Sequence, residues 1–199
     1  MTHRARPDII PQMIGQHRVE GYAIVSADDM IADAAGKMPD TIRNPADQRL
    51  FQADLDRAAA IVQGRHSNEG GPRSAVRKRL IATRSVAALA RDPANANARL
   101  WNPAGATLEA ALEALGVSDN DGVVAIIGGT EVFGLFLPLY DAFHLTRAAN
   151  ARVPGGRPIF PGVGPNSSAE DLLARFGLKA GPRRDLDAAA GITLVTWRR

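Results

Sequence analysis

The chain is 199 residues long, 45% hydrophobic and 23% charged, with no cysteine and a formal charge of +3. Such a chain suits one globular domain with its own core and excludes wholesale disorder, while the missing cysteines exclude disulfides, thiolate metal sites and cysteine nucleophiles and fit the cytoplasm. The slight basic excess suits an anionic small ligand and falls short of a nucleic-acid footprint, and no apolar run reaches the roughly 18–20 residues of a membrane helix.

Residues 1–19 are basic at the start and interrupted by polar residues throughout, so they read as an extension to a domain spanning 20–199. The first strand signal is Tyr22–Ser26, an apolar run with little alternation, as in a strand covered on both faces. A turn-rich stretch ends at Arg43, where Asn44-Pro45 opens a helix: Asn caps, and Pro fits the first helical position. Leu50, Phe51, Leu55, Ala58 and Ala59 recur there at helical spacing. Short buried strands are predicted at Ala60–Gly64 and Arg79–Thr83, separated by a Gly/Pro/Ser-rich loop, with a weaker one at Arg99–Trp101. Thr107 caps a helix through Leu115 that stops at Gly116. Val123–Ile127 is the strongest strand and runs into Gly128-Gly129-Thr130; a helix from Glu131 to Leu137 and a strand from Tyr140 to Arg147 follow. After a Gly/Pro-rich loop from Val153 to Pro165, a helical piece spans Ala169–Ala174. Two late strands, around Phe176–Leu178 and Ile192–Trp197, form an antiparallel end. Strands alternating with helices give an α/β fold: a mostly parallel central sheet, helices on both faces and an antiparallel C-terminal edge.

Three features carry chemistry. Paired glycines at the end of a buried strand, Ile127-Gly128-Gly129-Thr130, let backbone approach a ligand, although a tight turn alone also needs them. Asp47 shares the i, i+3, i+4, i+7 face of Leu50, Phe51, Asp54 and Leu55, which puts a carboxylate on an apolar face. An acid in a first helical turn also simply answers the dipole. Opposing effects of burial and helix terminus leave the direction of its pKa open. Arg65 and Arg84 each follow a strand and have hydroxyl neighbours, an arrangement able to clamp a phosphate, while either alone is an ordinary surface arginine. His3, His17, His66 and His144 are scattered without ligand spacing, so no metal is expected.

In order, the chain presents Asn44-Pro45-Ala46-Asp47 with Phe51 a turn later, Gly64-Arg65-His66-Ser67, Arg77 to Ser85, Ile126 to Phe133, and Leu145-Thr146-Arg147. In content, order and spacing, from about Gly21 to Pro161, this resembles the dihydrofolate reductase family. The resemblance implies that family's single-domain fold and an NADPH-dependent reduction of 7,8-dihydrofolate to tetrahydrofolate. It gives Asp47 the pterin edge and the catalytic role, with Ile24 and Phe51 against the substrate, Thr146 supporting the acid and Arg77 on the folate carboxylate. It places Ala23, Ile31, Gly64, Arg65, His66, Ser67, Thr83, Arg84, Ser85, Ile127, Gly128, Gly129, Thr130, Glu131, Val132 and Phe133 around NADPH. Ile31 and Ala32 would begin the mobile loop over the site.

The departures surround the substrate. Met38-Pro39 is followed by Asp40 and not by the family's tryptophan, and Asn68 stands where another tryptophan is usual. Arg152 to Pro161 looks equally like the riboflavin-pathway reductases, which share the fold. Their ribosylamino-pyrimidine substrate, or another pterin, is therefore the alternative, and its phosphate could meet Arg43, Arg77 or Arg157. A nucleotide-binding module without catalysis is the rival from another class. A monomer or homodimer that binds a small molecule, with no nucleic acid or membrane partner, is expected.

Overall fold

The computed structural model describes residues 17–67, 70–118 and 122–199. The extension up to residue 16 and Asn68 lie outside the described residues. Five strands precede the middle of the chain: β1 (Arg18–Ser26), β2 (Met30–Ala32), β3 (Ala60–Gly64), β4 (Arg79–Ala82) and β5 (Leu89–Arg91). β6 (Ala98–Trp101), β7 (Val123–Ile126), β8 (Ala142–Ala148), β9 (Arg157–Pro158), β10 (Lys179–Asp187) and β11 (Ile192–Arg198) follow. The helices are α1 (Pro45–Leu55), α2 (Leu108–Ala114), α3 (Thr130–Leu135) and α4 (Ala169–Arg175).

Nine strands form one sheet in the order β10-β11-β8-β1-β7-β3-β4-β6-β5. The six from β8 to β6 are parallel, while β11 pairs antiparallel with β8, β10 antiparallel with β11, and β5 antiparallel with β6 at the other edge. Strand alternation splits the core into two layers. Val19, Val25, Val124 and Ile126 pack with Leu112 of α2, Phe133 of α3 and Leu172 of α4. On the opposite face, Tyr22, Ile61 and Ala125 pack with Leu55 and Phe51 of α1.

The helix starts follow local chemistry. Asn44 caps α1, Thr107 caps α2 by accepting from the Ala110 amide at 3.2 Å, and Ser168 and Asp171 form a reciprocal capping box on α4. Gly116, at φ +70°, follows α2 as a left-handed stop.

The sheet differs from the sequence-based expectation in four places. β1 begins at Arg18, paired with Val123, so residues 18 and 19 belong to the domain and not to the extension. The expected strand at Phe176–Leu178 starts instead at Lys179, because Gly177, at φ +89°, closes α4. β10 runs Lys-Ala-Gly-Pro-Arg-Arg-Asp-Leu-Asp with most side chains exposed, so no apolar alternation marks it; an edge strand tolerates Pro182, whose missing N–H needs no ladder partner. β5 and the small β2–β9 pair also form where no periodic pattern announces a strand.

Candidate active site

Parallel strands end at one edge of the sheet, and connections leaving that edge enclose a ligand crevice in open α/β sheets. Here the segments after β1, β3, β4, β6 and β7, together with one face of α1 and β8, line a cleft of about 2410 Å³.

Asp47 sits in the first turn of α1, whose start is set by Asn44. The Asn44 side-chain oxygen accepts from the Ala46 amide at 2.8 Å and the Asp47 amide at 3.4 Å, and its Nδ2 donates to Asp187 at 2.9 Å. The Asp47 carboxyl lines the cleft and is hydrogen-bonded to the Thr146 side chain. Burial raises its pKa above the ordinary aspartate value, outweighing the opposing hydrogen bond from Thr146. Thr146 is placed by β8, in register with Ile24 on β1 and Leu194 on β11, and both neighbours line the cleft.

A glycine turn forms the other wall. The Gly64 amide donates to the Gly128 carbonyl at 2.6 Å, joining the ends of β3 and β7, and the Gly128–Gly129 peptide is cis. Gly128 has φ +103°, and a Cβ there would lie 2.6 Å from the Phe133 ring, so a side chain is excluded twice over. A Cβ on Gly129 would meet Ser67 Oγ at 3.9 Å, the nearest contact, so backbone faces open cleft at that point. The Thr130 hydroxyl donates to the Pro158 carbonyl and thereby fastens the turn to β9.

Among the sequence-predicted positions, Ala23, Ile24, Ile31, Asp47, Phe51, Gly64, Ser67, Ile127, Gly129, Thr130, Val132, Phe133 and Thr146 line this one cleft. Arg65, His66, Arg84, Ser85 and Glu131 line it as exposed residues, with Thr83 half-buried beside them. Thr83 Oγ accepts from the Ser85 amide at 3.1 Å and lies 3.0 Å from Ser85 Oγ, which holds the hydroxyl pair next to Arg84. Gly128 lies buried behind the lining, its carbonyl committed to Gly64.

Arg77 is placed elsewhere. It is buried, outside the cleft lining, with Nη2 donating to Asp56 and to Gln52 Oε1, both at 2.7 Å. Asp56 ends α1 and captures the guanidinium that the family resemblance assigns to a folate carboxylate.

Other cleft residues had escaped the sequence reading. Tyr22 stacks on His144 with ring centroids 4.6 Å apart and planes 8° from parallel. Tyr22 O–H donates to Glu20 at 2.8 Å, and His144 contacts Glu20 at 3.1 Å and Thr196 at 3.2 Å. The bond from His144 leads in holding the Glu20 carboxyl below its ordinary value, while burial pushes the Tyr22 phenol up. Alternation along paired strands was the available signal: His144 shares a face with Thr146, and Tyr22 with Ile24.

No protein-family model and no curated protein matches the chain. Solved structures do. A protein named for riboflavin biosynthesis from Shewanella sp. PV-4 superposes with a TM-score of 0.62 at 22% identity, covering 92% of this chain and 98% of that one. The diaminohydroxyphosphoribosylaminopyrimidine deaminase/5-amino-6-(5-phosphoribosylamino)uracil reductase of Thermotoga maritima gives 0.62 at 18% identity, over 92% of this chain and 56% of that longer protein. At these identities the likeness defines the fold: a single α/β domain of the kind that dihydrofolate reductase shares with the riboflavin-pathway reductases.

Proposed function

We propose that the chain is an NADPH-dependent reductase of a small substrate carrying an aminopyrimidine or related ring. The observation that carries this reading is the Asp47 carboxyl, held by Thr146 inside the cleft that Gly129 also lines. The residues present fit the dinucleotide. Gly129 leaves backbone open where any side chain would fill space, and Arg65 and Arg84 stand exposed beside Thr83 and Ser85, a donor set suited to a ribose phosphate. When bound, NADPH supplies the hydride, and the protein's work is to bind, orient and exclude water. Asp47 accepts hydrogen bonds from a ring N–H edge or, when protonated, donates one; Thr146 fixes its orientation. Ile24, Phe51 and Leu50 supply apolar walls for a flat ring.

For the substrate, a phosphoribosylamino-pyrimidine is the preferred candidate. Arg77 is buried and engaged by Asp56 and Gln52, whereas Arg43 and Arg157 line the cleft as exposed cations whose partners, the exposed Asp40 for Arg43 and the Ala34 carbonyl for Arg157, stand 3.4 and 3.3 Å away. The solved neighbours' names point the same way. Dihydrofolate is the second reading, favoured by the Asp47–Thr146 pair following Asn44-Pro45-Ala46.

The deciding experiment follows NADPH absorbance with 5-amino-6-(5-phosphoribosylamino)uracil, with 7,8-dihydrofolate, and with neither. Turnover with the first supports the preferred substrate, and turnover with the second alone selects dihydrofolate. Tight NADPH binding without oxidation by either would leave a nucleotide-binding module and remove the reductase.

A further inference from the structure

The motif Leu145-Thr146-Arg147 contributes its threonine to the cleft, and its arginine turns to the opposite face of β8. There Arg147 Nη1 donates to the Ser26 carbonyl at 3.0 Å, and Nη2 to Asp29 Oδ1 and Glu170 Oε1, each at 2.6 Å. Asp29 is the one non-glycine among the described residues with φ in the left-handed region, at +64°. Glycine takes that conformation without strain, so an aspartate there needs a compensating reason. Its carboxylate supplies one: Oδ1 takes Arg147, and Oδ2 accepts from the Ala169 amide at 3.0 Å at the start of α4. Its carbonyl accepts from Ile159 at 2.9 Å, one residue beyond β9.

We propose that Arg147 and Asp29 form a clasp that fixes the cleft wall made by β2, so that Arg147 is a positioning residue for the site although it does not line it. The chain of contacts is continuous. Arg147 holds Asp29, Asp29 holds the β1–β2 turn and the end of β9, and Met30 and Ala32 pair with Pro158 and Arg157. The Pro158 carbonyl takes the Thr130 hydroxyl from the glycine turn. Ile31 and Ala32 are therefore set relative to Gly129, and one strand, β8, orients both the acid through Thr146 and the facing loop through Arg147. Asp28 adds a parallel tether, accepting from the Val153 amide at 3.0 Å and from the Ser26 hydroxyl at 2.6 Å. The segment that resemblance makes a mobile loop is thus anchored at its root.

The proposal rests on the reductase reading for its kinetic consequence alone. Asp29→Gly, Arg147→Met and Arg147→Lys in the full chain test it, with amide exchange by mass spectrometry read beside NADPH affinity and steady-state kinetics. Asp29→Gly suits the backbone yet removes the clasp. Together with Arg147→Met it is expected to speed exchange at residues 29–32 and 157–159 by about tenfold, with α1 and β3 unchanged. KM for NADPH should rise several-fold with a smaller change in kcat, and Arg147→Lys should recover part of both. Exchange in Asp29→Gly as slow as in the parent would overturn the clasp, since Asp29 would then serve the turn alone. A uniform rise across the domain would overturn it too. If Arg147→Met does not fold, Glu170→Ala removes one arm, the acceptor for Arg147 Nη2, and is read in the same way. A parent that binds no NADPH defeats the reductase reading while the exchange data still decide the clasp.

Discussion

Asp47 is costly for folding and, under the proposed reading, useful for chemistry. Its pKa is raised in the folded state by burial, so the folded protein holds that proton more tightly than the unfolded chain does. The stability linked to this proton is fully present below the ordinary aspartate pKa of about 3.9 and is lost as pH rises through the higher folded value. Asp47→Asn keeps an oxygen for Thr146 and has no charge to bury. Its melting temperature should therefore equal or exceed the parent's at neutral pH, with the two converging near pH 4, as scanning calorimetry across pH would record. Turnover should fall by about 10²-fold or more, the usual contribution of a positioned acid or base. A variant less stable than the parent at pH 7 would mean the carboxylate is not desolvated. This residue was legible in advance because helical spacing put a charge on an apolar face. Arg77 was not legible, because its partner Asp56 lies 21 residues away in sequence and only the tertiary fold brings the end of α1 beside the segment that precedes β4.

Elements with local determinants were the readable ones. Asn44-Pro45, Thr107 and Ser168 start helices through bonds within three residues, and the buried parallel strands announce themselves as apolar runs. β10, β5, β2 and β9 carry no such signal, since each exists only because a partner strand supplies its ladder. The α1 cap makes the distinction measurable. Asn44→Ala deletes the acceptor for the Ala46 and Asp47 amides and the donor to Asp187, which ties α1 to the β10–β11 hairpin. A loss of about 1 kcal/mol in urea unfolding is expected from the cap. Asn44→Ser retains a capping oxygen but cannot bridge to Asp187, so it should recover much of the stability; if it also recovers all activity, the hairpin tie has no part in placing Asp47.

Across the molecule, the cleft joins segments that sheet order keeps apart in sequence: the ends of β1, β3, β4 and β7, the face of β8, and β9. A ligand spanning them couples its binding energy to the whole fold. Under the proposed reading, NADPH at about 100 times its Kd adds about 2.7 kcal/mol to unfolding. For a domain of this size that is a rise in melting temperature of roughly 5–11 °C, at about 2–4 °C per kcal/mol. NADH lacks the phosphate that Arg65 and Arg84 would hold, so at equal concentration it should shift the transition less. Arg65→Ala and Arg84→Ala should reduce the NADPH shift toward the NADH value and leave the NADH shift nearly unchanged, because both side chains are exposed and removing them takes little from the fold itself. Equal losses for the two nucleotides would move these arginines off the phosphate. No shift with either nucleotide would remove dinucleotide binding from the cleft, leaving the α/β framework intact but without the cofactor that the proposed reduction requires.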